Sequence, residues 1–68
     1  METLGEILKN QRKAKNLTLE ELSKKVGISE VSLGSYERNQ SKPLLIKLSA
    51  LCNALDLDYD ELFAKFYK

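Results

Sequence analysis

Histidine and tryptophan are missing from this 68-residue chain, which also holds one cysteine, one proline and three glycines. Without histidine there is no general base that titrates near neutrality, and no Ser/His or Cys/His nucleophilic pair. The lone Cys52 excludes an internal disulfide, and without a histidine partner it excludes a Cys/His zinc site. Val and Ile are scarce: five together, against thirteen Leu and four Ala, a balance that favours helix over sheet. There is no Gly-rich phosphate loop, Gly/Ser linker, low-complexity stretch or internal repeat. No apolar run approaches the roughly 20 residues of a membrane span. The start METLGEILKN lacks the basic-then-apolar layout of a signal peptide. These absences argue against an enzyme, a metal centre, a cofactor or a membrane partner. They predict one small, soluble, cytoplasmic, all-α domain over residues 1–68.

Charge is nearly balanced, eleven Lys plus Arg against ten Asp plus Glu, but unevenly spread. Residues 9–15 hold Lys9, Arg12, Lys13 and Lys15 with no acid, and residues 56–61 hold Asp56, Asp58, Asp60 and Glu61 with no base. The first run suits an anionic partner; two solvated helix faces are the plainer account of both.

Helix start signals organise the chain. In a capping box the N-cap side chain and a Glu three residues later each satisfy the other's free backbone N–H. Thr3 with Glu6, Thr18 with Glu21 and Asp58 with Glu61 fit this pattern, each opening an apolar-periodic segment. The expected helices run from about Leu4 to Lys15, Leu19 to Val26, Glu30 to Arg38, Leu44 to Leu55, and from Asp58 onward. Asn16 and Gly27 are stop signals, and Ser29 is an N-cap for the third helix. Leu45, Leu48, Leu51, Cys52 and Leu55 form one apolar stripe on the fourth helix, where Cys52 reads as an inert core thiol. Asp58, Asp60 and Glu61 suit a helix N-terminus better than a metal.

Two short helices joined by a tight turn at Val26-Gly27-Ile28-Ser29 have the plan of a helix-turn-helix over about residues 18–38. On a helical wheel Leu33, Tyr36 and Glu37 share the inner face of the third helix. Val31, Gly34, Ser35 and Arg38 point outward. A slim, polar face of this kind suits entry into a DNA major groove, and equally suits an ordinary exposed helix.

The stretch LTLEELSKKVGISEVSLGSYERNQSKP, with LGEILKNQRKAKN before it and LIKLSALCNALDLDYDELF after it, resembles the phage Cro/repressor (lambda-repressor-like, XRE) family of helix-turn-helix domains. The resemblance covers roughly Leu4 to Phe63. It implies a compact five-helix domain with the helix-turn-helix in helices two and three. It also implies a sequence-specific transcriptional regulator, in particular a repressor, that binds double-stranded operator DNA as a homodimer. Residues at the family's base-contacting positions are Ser29, Glu30, Val31 and Ser35, with Ser32 nearby. Those at phosphate-contacting positions are Thr18, Leu19, Arg38, Asn39 and Lys42. Leu19 stands where the family often has Gln, and no Arg, Lys or Gln precedes Arg38 on the third helix. Arg12 and Glu37 match a structural ion pair between helices one and three. Leu57, Tyr59, Phe63 and Phe66 match dimer-forming positions, with core closure the competing role. A second reading keeps the fold but makes it a protein-interaction module with a protein partner: an antirepressor, antitoxin-like chain or adaptor. Leu19, Glu30, Val31 and the Leu44-Leu45-Ile46 run favour that reading.

Overall fold

A computed structural model describes residues 2–68. Two reciprocal capping boxes start the first two helices: Thr3 and Thr18 accept from the N–H of Glu6 and Glu21, whose carboxylates take the N–H of Thr3 and Thr18. The helices are α1 (Leu4–Ala14), α2 (Leu19–Val26), α3 (Glu30–Glu37), α4 (Leu45–Leu55) and α5 (Tyr59–Phe66). Among the described residues there is no strand. At α5 the expected box is half-formed: Asp58 accepts from the Glu61 N–H at 3.1 Å. Ser29 caps α3 through the Ser32 N–H. Gly27 ends α2 in the left-handed conformation, φ +69°, which a residue with a Cβ adopts only at a steric cost. Asn16, Asn39 and Asp56 take the same conformation at the ends of α1, α3 and α4. Asn and Asp are the residues besides glycine that most readily do so.

Leucine spacing builds the core. Leu22, Leu33, Leu48, Leu51 and Leu55 are essentially inaccessible, and Leu4, Leu8, Ile28, Tyr36, Cys52 and Leu62 close around them. Burying each such side chain stabilises by about 1.5–3 kcal/mol. Cys52 sits on this stripe, and burial pushes its thiol above the usual range, which keeps it neutral and unreactive. Helices two and three are thereby held on a platform made by α1 and α4, and the molecule measures 29 × 23 × 22 Å.

Two features depart from the sequence reading. Leu45, assigned to the core stripe, is 41% exposed, and Leu44 caps α4 from outside the helix without a side-chain hydrogen bond. Leucine has no acceptor for the free N–H groups, so the helix begins one residue later and its first turn stays in solvent. Gly34, assigned to the outer face, is buried. A Cβ there would lie 2.9 Å from Nη1 of Arg38, so the missing side chain makes room for that guanidinium.

Candidate nucleic-acid interface

The placing of α3 begins with Gly5. A Cβ on Gly5 would stand 2.5 Å from the Tyr36 carbonyl oxygen and closer still to that of Glu37. Glycine therefore lets α1 and the end of α3 touch backbone to backbone. Asn39 fastens the crossing: its Oδ1 accepts from the Gly5 N–H at 2.9 Å and its Nδ2 donates to Thr3 Oγ1 at 2.8 Å. No periodicity marks Gly5 or Asn39 as partners. A glycine inside an amphipathic helix was the available signal.

Arg12 and Glu37 hold the same two helices together lower down. Arg12 Nε donates to Glu37 Oε2 at 2.7 Å and Nη2 to Oε1 at 3.1 Å, a two-pronged pair. Nη1 donates to the Leu17 carbonyl at 2.8 Å, so the guanidinium also fixes the entry to α2. The two side chains are 11% and 9% exposed. On the other side Gln11 Nε2 donates to the Leu55 carbonyl at the end of α4. The basic run on α1 is thus dispersed. Arg12 is largely shielded in its pair and Lys15 is bound to Asp56, holding that carboxyl below its usual range, while Lys9 and Lys13 face solvent.

Against this frame the structure separates the five residues at base-contacting positions. Glu30 and Val31 stand free, with Val31 81% exposed at the N-terminal tip of α3. Ser29 Oγ donates to Ser32 Oγ at 3.1 Å while capping the helix. Ser35, half-buried, shares a 2.7 Å hydrogen bond with Ser41 in the α3–α4 loop. Hydroxyls rotate to suit a new partner, so these serines can turn towards a base edge.

The five phosphate candidates divide as well. Thr18 lies at the start of α2, where its hydroxyl and N–H are both engaged with Glu21; the Glu21 carboxyl is held low by the Thr18 N–H and then by its hydroxyl. The next N–H groups of the helix, of Leu19 and Glu20, lack acceptors within it. The Leu19 side chain is half-buried against the core, which explains an apolar residue at this position. Arg38 is exposed, lies over Gly34 and donates to Gln40 at 3.3 Å. Asn39 has its amide committed to α1. Lys42 is exposed, but its ammonium donates to the Phe66 carbonyl and lies 4.6 Å from the Tyr67 ring centroid.

The candidate dimer residues gather on α5 and the turn before it. Leu57, Tyr59 and Phe66 pack against the core while remaining partly accessible. Phe63 stacks between Tyr59 and Tyr67 at centroid distances of 6.1 and 6.3 Å. Tyr67 donates its hydroxyl to the Pro43 carbonyl, and burial raises its pKa to about 12. Among the described residues no helix is long and apolar enough to cross a membrane.

This arrangement is shared with proteins already known. A family model described as helix-turn-helix matches residues 8–62. An uncharacterised HTH-type transcriptional regulator, YobD of Bacillus subtilis (strain 168), is 43% identical over 53 residues, which is 78% of this chain and 47% of YobD. The cryptic phage CTXphi transcriptional repressor RstR of Vibrio cholerae is 36% identical over 63 residues, 93% of this chain and 56% of RstR. The chain thus spans about half the length of these relatives. A crystal structure of the P22 c2 repressor with synthetic operator 9T superposes with a TM-score of 0.85 at 32% identity, covering 91% of this chain and 94% of the chain in that structure. With its two capped short helices, the turn at Gly27 and a helix-turn-helix family match over residues 8–62, the chain belongs to the lambda-repressor-like, XRE-type helix-turn-helix family.

Proposed function

We propose that the chain is a DNA-binding transcriptional repressor that recognises a specific operator by laying α3 in the major groove. The observation that carries this reading is the free tip of α3. Val31, 81% exposed, and the neighbouring Glu30 stand on a helix whose other side is locked to α1. The similarity to a transcriptional repressor and to a repressor in complex with operator supports the same role. Phosphate contacts position such a domain, and base contacts specify the sequence. The N-terminus of α2, Arg38 and Lys42 supply the first. Val31 against a thymine methyl, Glu30 accepting from a cytosine N4 amine, and the hydroxyls of Ser29, Ser32 and Ser35 supply the second. Repression follows from occlusion of a promoter, in the cytoplasm where the DNA lies. A homodimer through Leu57, Tyr59, Phe63 and Phe66 sets two α3 helices on adjacent half-sites. With two exposed cations, Arg38 and Lys42, at this interface, few phosphates are neutralised and the salt dependence is shallow.

The test is selection of bound duplexes from a random pool, then titration of the selected site against scrambled DNA. A selected site bound at least roughly a thousandfold more tightly is expected. Uracil in place of thymine opposite Val31 then weakens binding. Equal affinity for selected and scrambled sites defeats the proposal. Sedimentation at tens of micromolar tests the dimer.

A second reading has one specific observation behind it. Leu44, Leu45 and Ile46, at 69%, 41% and 79% exposure, leave an apolar edge beside the α3–α4 loop. This edge suits a protein partner. Absence of DNA binding at low salt favours it.

A further inference from the structure

The chain continues past the stretch matched by the family model, and its last turn folds back on the loop between α3 and α4. The matched stretch ends at residue 62. Phe66 and Tyr67 come after it, and both reach the loop. Lys42 Nζ donates to the Phe66 carbonyl at 2.5 Å and lies 4.6 Å from the centroid of the Tyr67 ring. One residue on, the buried Pro43 accepts the Tyr67 hydroxyl through its carbonyl.

The rest of the loop is already tied. Asn39 is fixed to α1 through Thr3 and Gly5, and Ser41 to α3 through Ser35. Lys42 is the member with a long, flexible stem, and a free lysine loses rotamer freedom when it takes up a contact. Here two features restrain it beforehand. The Phe66 carbonyl is one of the acceptors that the end of α5 leaves unpaired, at the negative pole of that helix. The aromatic face of Tyr67 attracts the ammonium from a second direction. An ammonium carries three donors, and one goes to Phe66. Lys42 is also exposed, so N–H groups remain for an outside anion.

We infer that the Phe66–Tyr67 turn is a positioning latch that holds the α3–α4 loop, and with it Lys42, ready for a backbone phosphate of the bound DNA. This rests on the DNA-binding role proposed above. Tyr67 itself touches no DNA; it acts through Lys42 and Pro43.

The experiment measures duplex affinity against salt for the full chain, using the selected site, with Tyr67→Leu, Tyr67→Phe, Lys42→Ala and the double variant Tyr67→Leu/Lys42→Ala. Leucine keeps apolar packing while removing ring and hydroxyl; phenylalanine keeps the ring. The log–log slope counts phosphates neutralised, at about 0.9 each, and a purely structural change does not move it. Lys42→Ala and Tyr67→Leu are each expected to flatten the slope by about 0.9 and to weaken binding by roughly five- to tenfold at 0.1 M salt. The double variant goes no further than either, and Tyr67→Phe, which keeps the ring over Lys42 but loses the hydrogen bond to Pro43, falls between the parent and Tyr67→Leu. A DNA-free signal accompanies this: the Lys42 side-chain methylenes resonate upfield under the Tyr67 ring and lose that shift in Tyr67→Leu. An unchanged slope in Tyr67→Leu or Lys42→Ala, additive losses in the double variant, tighter binding by Tyr67→Leu, or no upfield shift in the parent chain overturns the latch. If Tyr67→Leu does not fold, the parent shift and the Lys42→Ala slope still decide the matter. A parent chain that binds no DNA while retaining the shift instead removes the DNA-binding reading, and the latch loses its role with it.

Discussion

Replacing Arg12 by alanine is the sharpest perturbation of the frame behind α3. The guanidinium makes three hydrogen bonds, two to Glu37 at 2.7 and 3.1 Å and one to the Leu17 carbonyl at 2.8 Å. Both side chains of the pair are about nine-tenths shielded, at 11% and 9% exposure. Without Arg12 the Glu37 carboxylate stays behind with little water and no partner, and the Leu17 carbonyl loses its donor. Breaking one side of a buried pair costs about 3–5 kcal/mol. A domain of this size has roughly 3–10 kcal/mol of stability in total, so the variant is expected to lie close to its unfolding threshold. At about 4–8 °C per kcal/mol for small domains, the midpoint falls by roughly 15–30 °C. Urea and thermal unfolding followed by circular dichroism measure this directly. The double change Arg12→Met with Glu37→Leu removes both charges and is expected to recover most of the loss. An Arg12→Ala chain that melts within about 1 kcal/mol of the parent, yet binds DNA less tightly, refutes the structural role and makes Arg12 a phosphate ligand.

Gly5→Ala forces a Cβ against two main-chain carbonyls and is expected to destabilise by about 1–3 kcal/mol, measured by urea unfolding. Gly34→Ala meets the flexible end of Arg38 instead; stability rises by up to about 1 kcal/mol in the same assay, while DNA affinity falls because the guanidinium is displaced. Glu6 and Glu21 have folded pKa values below their ordinary 4.5, held there first by the N–H groups of Thr3 and Thr18. Their contribution is present above 4.5 and is lost as pH falls below it, so Glu6→Gln and Glu21→Gln, which remove the titrating carboxylates, flatten the acid limb of a stability–pH curve. Tyr67 has the opposite sign: its pKa is raised from 10.0 to about 12, so its contribution is present below pH 10 and is lost as pH rises towards 12. Tyr67→Phe therefore flattens the alkaline limb.

Much of the architecture is legible in the sequence, because its signals are local. A threonine accepts the N–H three residues on wherever it precedes a helix, so Thr3, Thr18 and Ser29 announce their helices in the linear chain. Leucines at helical spacing name the core, and Leu48, Leu51 and Leu55 lie where the stripe puts them. Gly27 marks its turn through a backbone preference that needs no neighbour. The periodicity overreached at Leu45, where the first turn of α4 projects beyond the end of the core.

The interface was less readable, because its residues differ in what they touch rather than in what they are. Asn39, Lys42 and Arg38 look alike as polar loop residues, yet one is bound to α1, one to the end of α5 and one lies over a glycine. The basic run on α1 looked like one surface, and Arg12 and Lys15 leave it for partners 25 and 41 residues away. Capping, turning and helical periodicity act within about four residues, and so they are written in the order of the amino acids. Which polar groups stay free for a ligand depends on contacts between distant segments, and those exist once the leucine core has brought the five helices together.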